Sequence, residues 1–130
     1  MDDDPELAAI RARKLAELQQ RAAQPRLDHP VVVTDATLPA FVAEHPIAAV
    51  DCWAAWCGPC RLMDPVIESL ARELAGRVAF GKLNVDENPG ASERFGVASI
   101  PTLLVFRAGK LAGEVIGAVP AAVVRAKLGV

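Results

Sequence analysis

Ile47-Ala48-Ala49-Val50-Asp51-Cys52-Trp53-Ala54-Ala55-Trp56-Cys57-Gly58-Pro59-Cys60 reads as a strand that runs into the first turn of a helix. Ile47 to Ala54 is apolar except at Asp51, the pattern of a strand covered on both faces. Cys57 to Leu74 reads as a long helix, and Pro65 inside it predicts a kink. The pair Cys57 and Cys60 therefore stands where the strand ends and the helix opens. A helix start carries unpaired N–H groups and a partial positive charge. A thiolate at Cys57 is stabilised there, and its pKa is expected below that of a free cysteine. Cys60 lies one helical turn on, on the same face, so the two sulfurs can close a small disulfide. Gly58 and Pro59 limit the conformations of that ring, and Trp56 gives its rim a flat apolar surface.

Outward from this junction, short apolar runs alternate with helical patterns. Val31–Val33 is a short strand, and Thr37 to Glu44 a helix with Thr34 or Asp35 as cap. Val78 to Val85 is a strand and Pro89 to Phe95 a short helix. Thr102 to Phe106 and Leu111 to Ile116 are strands joined by Arg107-Ala108-Gly109-Lys110, a turn of hairpin length. Pro120 to Leu128 is a closing helix. The order βαβαβαββα predicts an α/β fold: a central mixed sheet, parallel at its first crossovers and antiparallel at its end, with helices on both faces. Ahead of it, residues 4 to 23 read as a further helix, capped by Asp4 with Pro5 in its first turn. Its apolar residues Leu7, Ile10, Leu15 and Leu18 are interrupted by Arg11 and Lys14, which suits a solvated leader better than a docking helix. Gln24 to Pro30 holds two prolines and marks the boundary. The expected division is an N-terminal helical extension and linker over 1–30 and one domain over 31–130.

Composition sets the function classes. The chain has 130 residues, 52% hydrophobic and 23% charged, enough for one buried core plus an appendage. A formal net charge of −2 argues against nucleic-acid binding, which needs a basic footprint. No apolar run approaches a membrane span. The acidic start Met1-Asp2-Asp3-Asp4-Pro5-Glu6 lacks the features of a secretory signal, so a cytoplasmic protein is expected.

Three cysteines, Cys52, Cys57 and Cys60, are too few and too odd for a secreted disulfide framework. A zinc site would need a second cysteine pair, and haem attachment would need a histidine where Arg61 stands. His29 and His45 are not placed to complete a metal site. Two structural cysteines at this spacing by chance are the remaining alternative, and the strand before and helix after them favour redox use of Cys57 and Cys60. Cys52, within the buried strand, is expected to pack as a small hydrophobe.

At these residues the chain resembles the thioredoxin family. Trp56-Cys57-Gly58-Pro59-Cys60 matches the family's active-site motif, and Asp51 stands where the family has a buried acid. Lys82-Leu83-Asn84-Val85-Asp86 matches its central strand, including the lysine that neighbours the acid. Val97-Ala98-Ser99-Ile100-Pro101-Thr102 matches the loop bearing a cis-proline, and Phe106-Arg107-Ala108-Gly109 and Gly117 fit the hairpin and the glycine after it. The likeness covers about Val31 to Val130. Cys52 departs from it, since an aromatic is usual there.

The resemblance implies a thioredoxin-like fold and a protein-disulfide reductase with no cofactor beyond its own Cys57–Cys60 pair and no metal. Cys57 would attack a substrate disulfide and Cys60 would resolve the mixed disulfide. Asp51 would accept the Cys60 proton through a water, with the neighbouring Lys82 in support; a structural acid paired with Lys82 is the alternative for it. Pro101 would be cis and set Ile100 against the disulfide, where its backbone could pair with an extended substrate. Trp56, Gly58, Pro59, Ile100, Pro101, Gly117 and Ala118 would form an uncharged contact surface. The implied partners are protein disulfides and a thioredoxin reductase as electron donor, around a monomer. A thiol oxidase or isomerase of the same fold is the alternative, and a non-catalytic binding module is another.

Overall fold

The computed structural model describes residues 4–23 and 27–130. Met1-Asp2-Asp3 and the first part of the expected linker, Gln24-Pro25-Arg26, lie outside the described residues. Helix α1 spans Pro5–Ala23, and its first turn is held by Asp4, whose Oδ1 accepts the Glu6 N–H at 3.0 Å. Ile10, Leu15 and Leu18 are exposed along it, in keeping with the interrupted stripe.

Then follow β1 (Val31–Val32), α2 (Leu38–Glu44), β2 (Ile47–Trp53), α3 (Gly58–Glu73) and β3 (Ala79–Asn84). The chain closes with α4 (Pro89–Phe95), β4 (Thr102–Arg107), β5 (Lys110–Ile116) and α5 (Ala121–Leu128). The five strands form one sheet in the order β1-β3-β2-β4-β5, parallel among the first three and antiparallel at β2/β4 and β4/β5. This is the expected mixed sheet. The β4–β5 hairpin turns through Ala108 and Gly109 with φ of 52° and 80°, the two positive angles of a type I′ turn.

The period-two alternation of the strands divides the core into two layers. Ala49, Phe80, Leu103 and Val105 pack against Met63, Ile67 and Leu70 of α3 and Val124 and Leu128 of α5. Ala48, Val50, Cys52, Leu83, Leu104 and Phe106 pack on the other side with Leu38, Phe41 and Val42 of α2 and Ala91 of α4. Parity puts Asp51 and Lys82, neighbours in the β2/β3 register, on the α3 side, and Cys52 on the opposite one.

One local expectation is corrected in part. The N-cap of α2 is Thr37 and not Asp35, while Thr34 closes the turn before it, its Oγ1 accepting the Thr37 N–H at 3.2 Å and its carbonyl the Leu38 N–H at 2.9 Å. Asp35 serves a different helix, accepting the Gly90 and Ala91 N–H groups at the start of α4 at 3.0 and 2.7 Å. Helix α3 is continuous past Pro65.

Gly81 in β3 has no room for a side chain. A Cβ there would lie 2.6 Å from Val33 Cγ2 and 3.2 Å from the Phe41 ring. Gly81→Ala is therefore expected to destabilise the fold by about 1–3 kcal/mol through overpacking. Urea denaturation reads this as a lower midpoint at unchanged slope. An unchanged midpoint would mean that β1 and α2 give way freely.

Candidate active site

Strand β2 ends at Trp53, and the chain turns through Ala54–Trp56 into α3. Cys57 is the N-cap residue of α3, in extended conformation, and its Sγ accepts the Cys60 N–H at 3.2 Å. A sulfur thus stands where a Ser or Asp oxygen usually satisfies an orphan helix donor. Pro59 falls in the first turn, where its missing N–H has no consequence. Cys57 and Cys60 are joined as a disulfide with Cα atoms 5.3 Å apart. Both are buried, 4% and 3% exposed, so a partner sulfur can reach them only across the rim.

That rim contains the residues the sequence singles out. Trp56 is 70% exposed and Gly58 and Pro59 are exposed beside it. Trp56 is also anchored, donating its Nε1–H to Asp86 Oδ2 at 2.9 Å across to the end of β3. Opposite, the Ile100–Pro101 peptide bond is cis, and Ile100 packs with Trp53 and Val85 against the cluster of Ala54, Cys57 and Cys60. Pro101 is buried; its carbonyl accepts the Gly117 N–H at 2.8 Å, which fixes the segment leading to exposed Ala118 beside the cis loop. Thr102 Oγ1 donates to the Ser99 carbonyl at 2.6 Å and closes the loop from within. Gly117 has φ of 89°, a left-handed conformation that glycine adopts readily.

Asp51 is fully buried on the α3 side of β2, and neither of its oxygens has a hydrogen-bond partner. Loss of hydration pushes its carboxyl up to about 7; the Lys82 ammonium offsets part of the rise and the Asp64 carboxylate adds to it. Lys82 neighbours Asp51, as the resemblance implies, but no hydrogen bond joins them. Lys82 lies across from Asp51 in the β2/β3 register, but its Nζ donates to Asp64 Oδ1 at 2.7 Å and sits 4.9 Å from the Trp53 ring centroid. An ion pair half open to water prevails over burial of a second charge, because desolving the ammonium beside Asp51 would be more expensive.

Asp64 and Asp86 are the site residues the sequence reading missed. Asp64 follows Cys60 by one turn on α3, and that spacing was the available signal. Asp86 stands past the end of β3, the strand beside β2, and only the pairing of those two strands brings it to Trp56. Cys52 is free and fully buried, on the far side of the sheet; burial, with Asp51 next to it, pushes its thiol up to about 12. Among the described residues no group of three or more His, Cys, Asp or Glu side chains could hold a metal ion. No described helix is long and apolar enough to cross a membrane.

Comparison with known proteins agrees with this geometry. The thioredoxin family model matches residues 29–129. The chain is 48% identical over 82 residues to thioredoxin 2 of Chlorobaculum tepidum, covering 63% of this chain and 75% of the relative. It is 46% identical over 89 residues to thioredoxin 1 of Synechococcus elongatus, covering 68% and 83%. A solved structure of a mutant thioredoxin from Halobacterium salinarum superposes with a TM-score of 0.75 at 30% identity, over 82% of this chain and 93% of that one. With a buried disulfide whose Cys57 caps α3, a cis-proline loop against it and a family match over residues 29–129, the chain belongs to the thioredoxin family.

Proposed function

We propose that the protein is a protein-disulfide reductase that works through the Cys57–Cys60 pair alone. The observation that carries this reading is a disulfide set at a helix N-terminus and faced by the cis Ile100–Pro101 loop. In the reduced form the α3 start stabilises Cys57 as a thiolate. That thiolate attacks one sulfur of a substrate disulfide; the Cys57–substrate bond forms, and the other substrate sulfur leaves as a thiolate. Cys60 then gives its proton, by way of a water, to Asp51 and attacks Cys57. The Cys57–Cys60 bond forms, the mixed disulfide breaks, and the substrate departs with two electrons. A thioredoxin reductase restores the dithiol.

Asp51 suits the proton transfer. A carboxyl poised at about 7 exchanges a proton readily near neutral pH. Trp56, Gly58, Pro59, Ile100, Gly117 and Ala118 offer substrates an uncharged surface, with Lys82 and Pro101 as support. Gly58-Pro59 between the cysteines favours reductant over oxidant. A reductant of this kind belongs in a reducing compartment, and we assign it to the cytoplasm, as a monomer. Residues 31–130 are the working domain, and 1–30 are an extension and linker.

With dithiothreitol as electron source, Cys57→Ser should abolish turnover of an accessible protein disulfide. Cys60→Ser should instead accumulate the mixed disulfide, visible on non-reducing gels or by mass, because attack survives and resolution does not. Turnover by Cys57→Ser would give the nucleophile's role to another sulfur.

Asp51→Asn should stabilise the fold and slow resolution together. The folded carboxyl lies at about 7, above its ordinary 3.8. Below the ordinary value both states are protonated and nothing is lost. Between about 4 and 7 the unfolded chain sheds the proton while the folded chain retains it, so stability falls with rising pH and levels above 7. The mutant should thus gain on the order of a few kcal/mol above pH 7 and almost nothing near pH 4. Urea midpoints across that range and single-turnover kinetics test both halves; a destabilised mutant with normal kinetics would leave Asp51 a purely structural group.

Removing residues 1–24 should leave the fold and turnover nearly unchanged, given the exposed Ile10, Leu15 and Leu18. A fall in the urea midpoint of the truncated chain would show that α1 docks on the domain.

A further inference from the structure

Asp51 and Lys82 are register partners on neighbouring strands, on the same face of the sheet. Opposite charges so placed ordinarily attract and pair. Here the ammonium is committed elsewhere: Nζ donates to Asp64 Oδ1 at 2.7 Å, the Trp53 ring lies 4.9 Å from it, and both Asp51 oxygens are left without a donor. Asp64 is held for this by α3. It lies one turn beyond Cys60, on a helix whose Met63 and Ile67 are packed against the sheet. The side chains of the pair are 25% and 38% exposed, so water reaches the ion pair while Asp51 remains sealed.

We propose that Asp64 is a positioning residue which, by holding the Lys82 ammonium, keeps the Asp51 carboxylate unpaired and so sets the pH at which the dithiol resolves. The inference rests on the reading of Asp51 as proton acceptor for Cys60. The charged and titratable groups around Asp51 are few. Strand β3 presents Lys82, and α3 presents Asp64 and the Cys57–Cys60 pair. Strand β4 presents Leu103 in register and nothing that titrates. Cys52, next along β2, faces the other layer. Lys82 and Asp64 act on Asp51 in opposite directions, the first lowering its carboxyl and the second raising it. Removing Asp64 therefore acts twice in one direction: a nearby negative charge is lost, and the ammonium is freed to turn toward Asp51. A carboxylate beside a free cation gives up its proton at lower pH. Such a base is ionised over a wider range of pH but is weaker.

The test uses the full chain. Asp51 titration is followed in the oxidised protein by its carboxyl ¹³C resonance, and resolution of a preformed mixed disulfide by single-turnover kinetics from pH 5 to 9. Asp64→Asn should lower the Asp51 midpoint by about one pH unit or more and move the acid limb of resolution with it. Asp64→Glu should restore both. In a Lys82→Met background the Asp64→Asn shift should shrink, since no ammonium remains to be released. A pair serving only to strap α3 to β3 would lower the urea midpoint on substitution and leave both profiles in place, which overturns the inference. An equal shift with and without Lys82 also overturns it, because Asp64 would then act by its own charge. Asp51→Asn separates the two levels. If it abolishes the acid limb while Asp64→Asn moves nothing, this inference alone fails. If it leaves the limb intact, the reading of Asp51 fails, and the inference with it.

Discussion

One sulfur atom has two structural duties. Cys57 Sγ accepts the Cys60 N–H at 3.2 Å, closing the first turn of α3, and it is also bonded to the Cys60 sulfur. The position of α3 over the sheet therefore determines the electrostatic setting of the redox atom. Helix α3 is held by Met63, Ile67 and Leu70 against Phe80, Leu103 and Val105, so the setting is fixed from deep in the core. The remaining parts of the site are arranged about that start. The cis Ile100–Pro101 loop packs on one side of it, and the Trp56–Asp86 hydrogen bond ties down the other.

Beneath the helix, the fold tolerates what it usually avoids. A carboxyl with no hydrogen-bond partner in a fully buried place would be unstable as a permanent anion. It persists because it need be an anion only part of the time: at about 7 it carries its proton through much of the neutral range. The neighbouring ammonium could have neutralised it, and the Asp64 contact shows the lysine directed outward instead. Stability and proton transfer make opposite demands on this position. A permanent ion pair would hold Asp51 ionised and weak as a base.

The order of elements from Val31 onward was legible because each carries its own local signal. The apolar run of β2, the turn residues at Ala108-Gly109 and the cysteine pair at a strand–helix junction can each be read within a few residues. The motif-based expectations for Ile100, Pro101 and Gly117 likewise concern residues close together at one end of the sheet. Contacts between distant segments were not legible. Asp35 looks like a cap for α2, three residues away, yet it accepts the amides of Gly90 and Ala91. Nothing local distinguishes those uses. Asp64 reads as one polar residue on an amphipathic helix, and only the β2/β3 register reveals the lysine below it. The boundaries of α3 differ by a residue at each end for a simpler reason: Cys57 and Leu74 are its caps.

The side of the sheet on which Cys52 lies also determines the molecule's capacity as a carrier. Cys52 and Cys57 are only five positions apart in the chain, but one sulfur faces the layer with α2 and α4, and the other caps α3. Burial and the adjacent Asp51 push the Cys52 thiol up to about 12, so at physiological pH it stays protonated and unreactive. A third thiol near a disulfide would ordinarily permit scrambling into alternative pairings. With Cys52 on the opposite face of the sheet from α3, the folded chain has a single internal pairing to make and break. It carries electrons two at a time, with no odd thiol exposed through which two copies could become cross-linked.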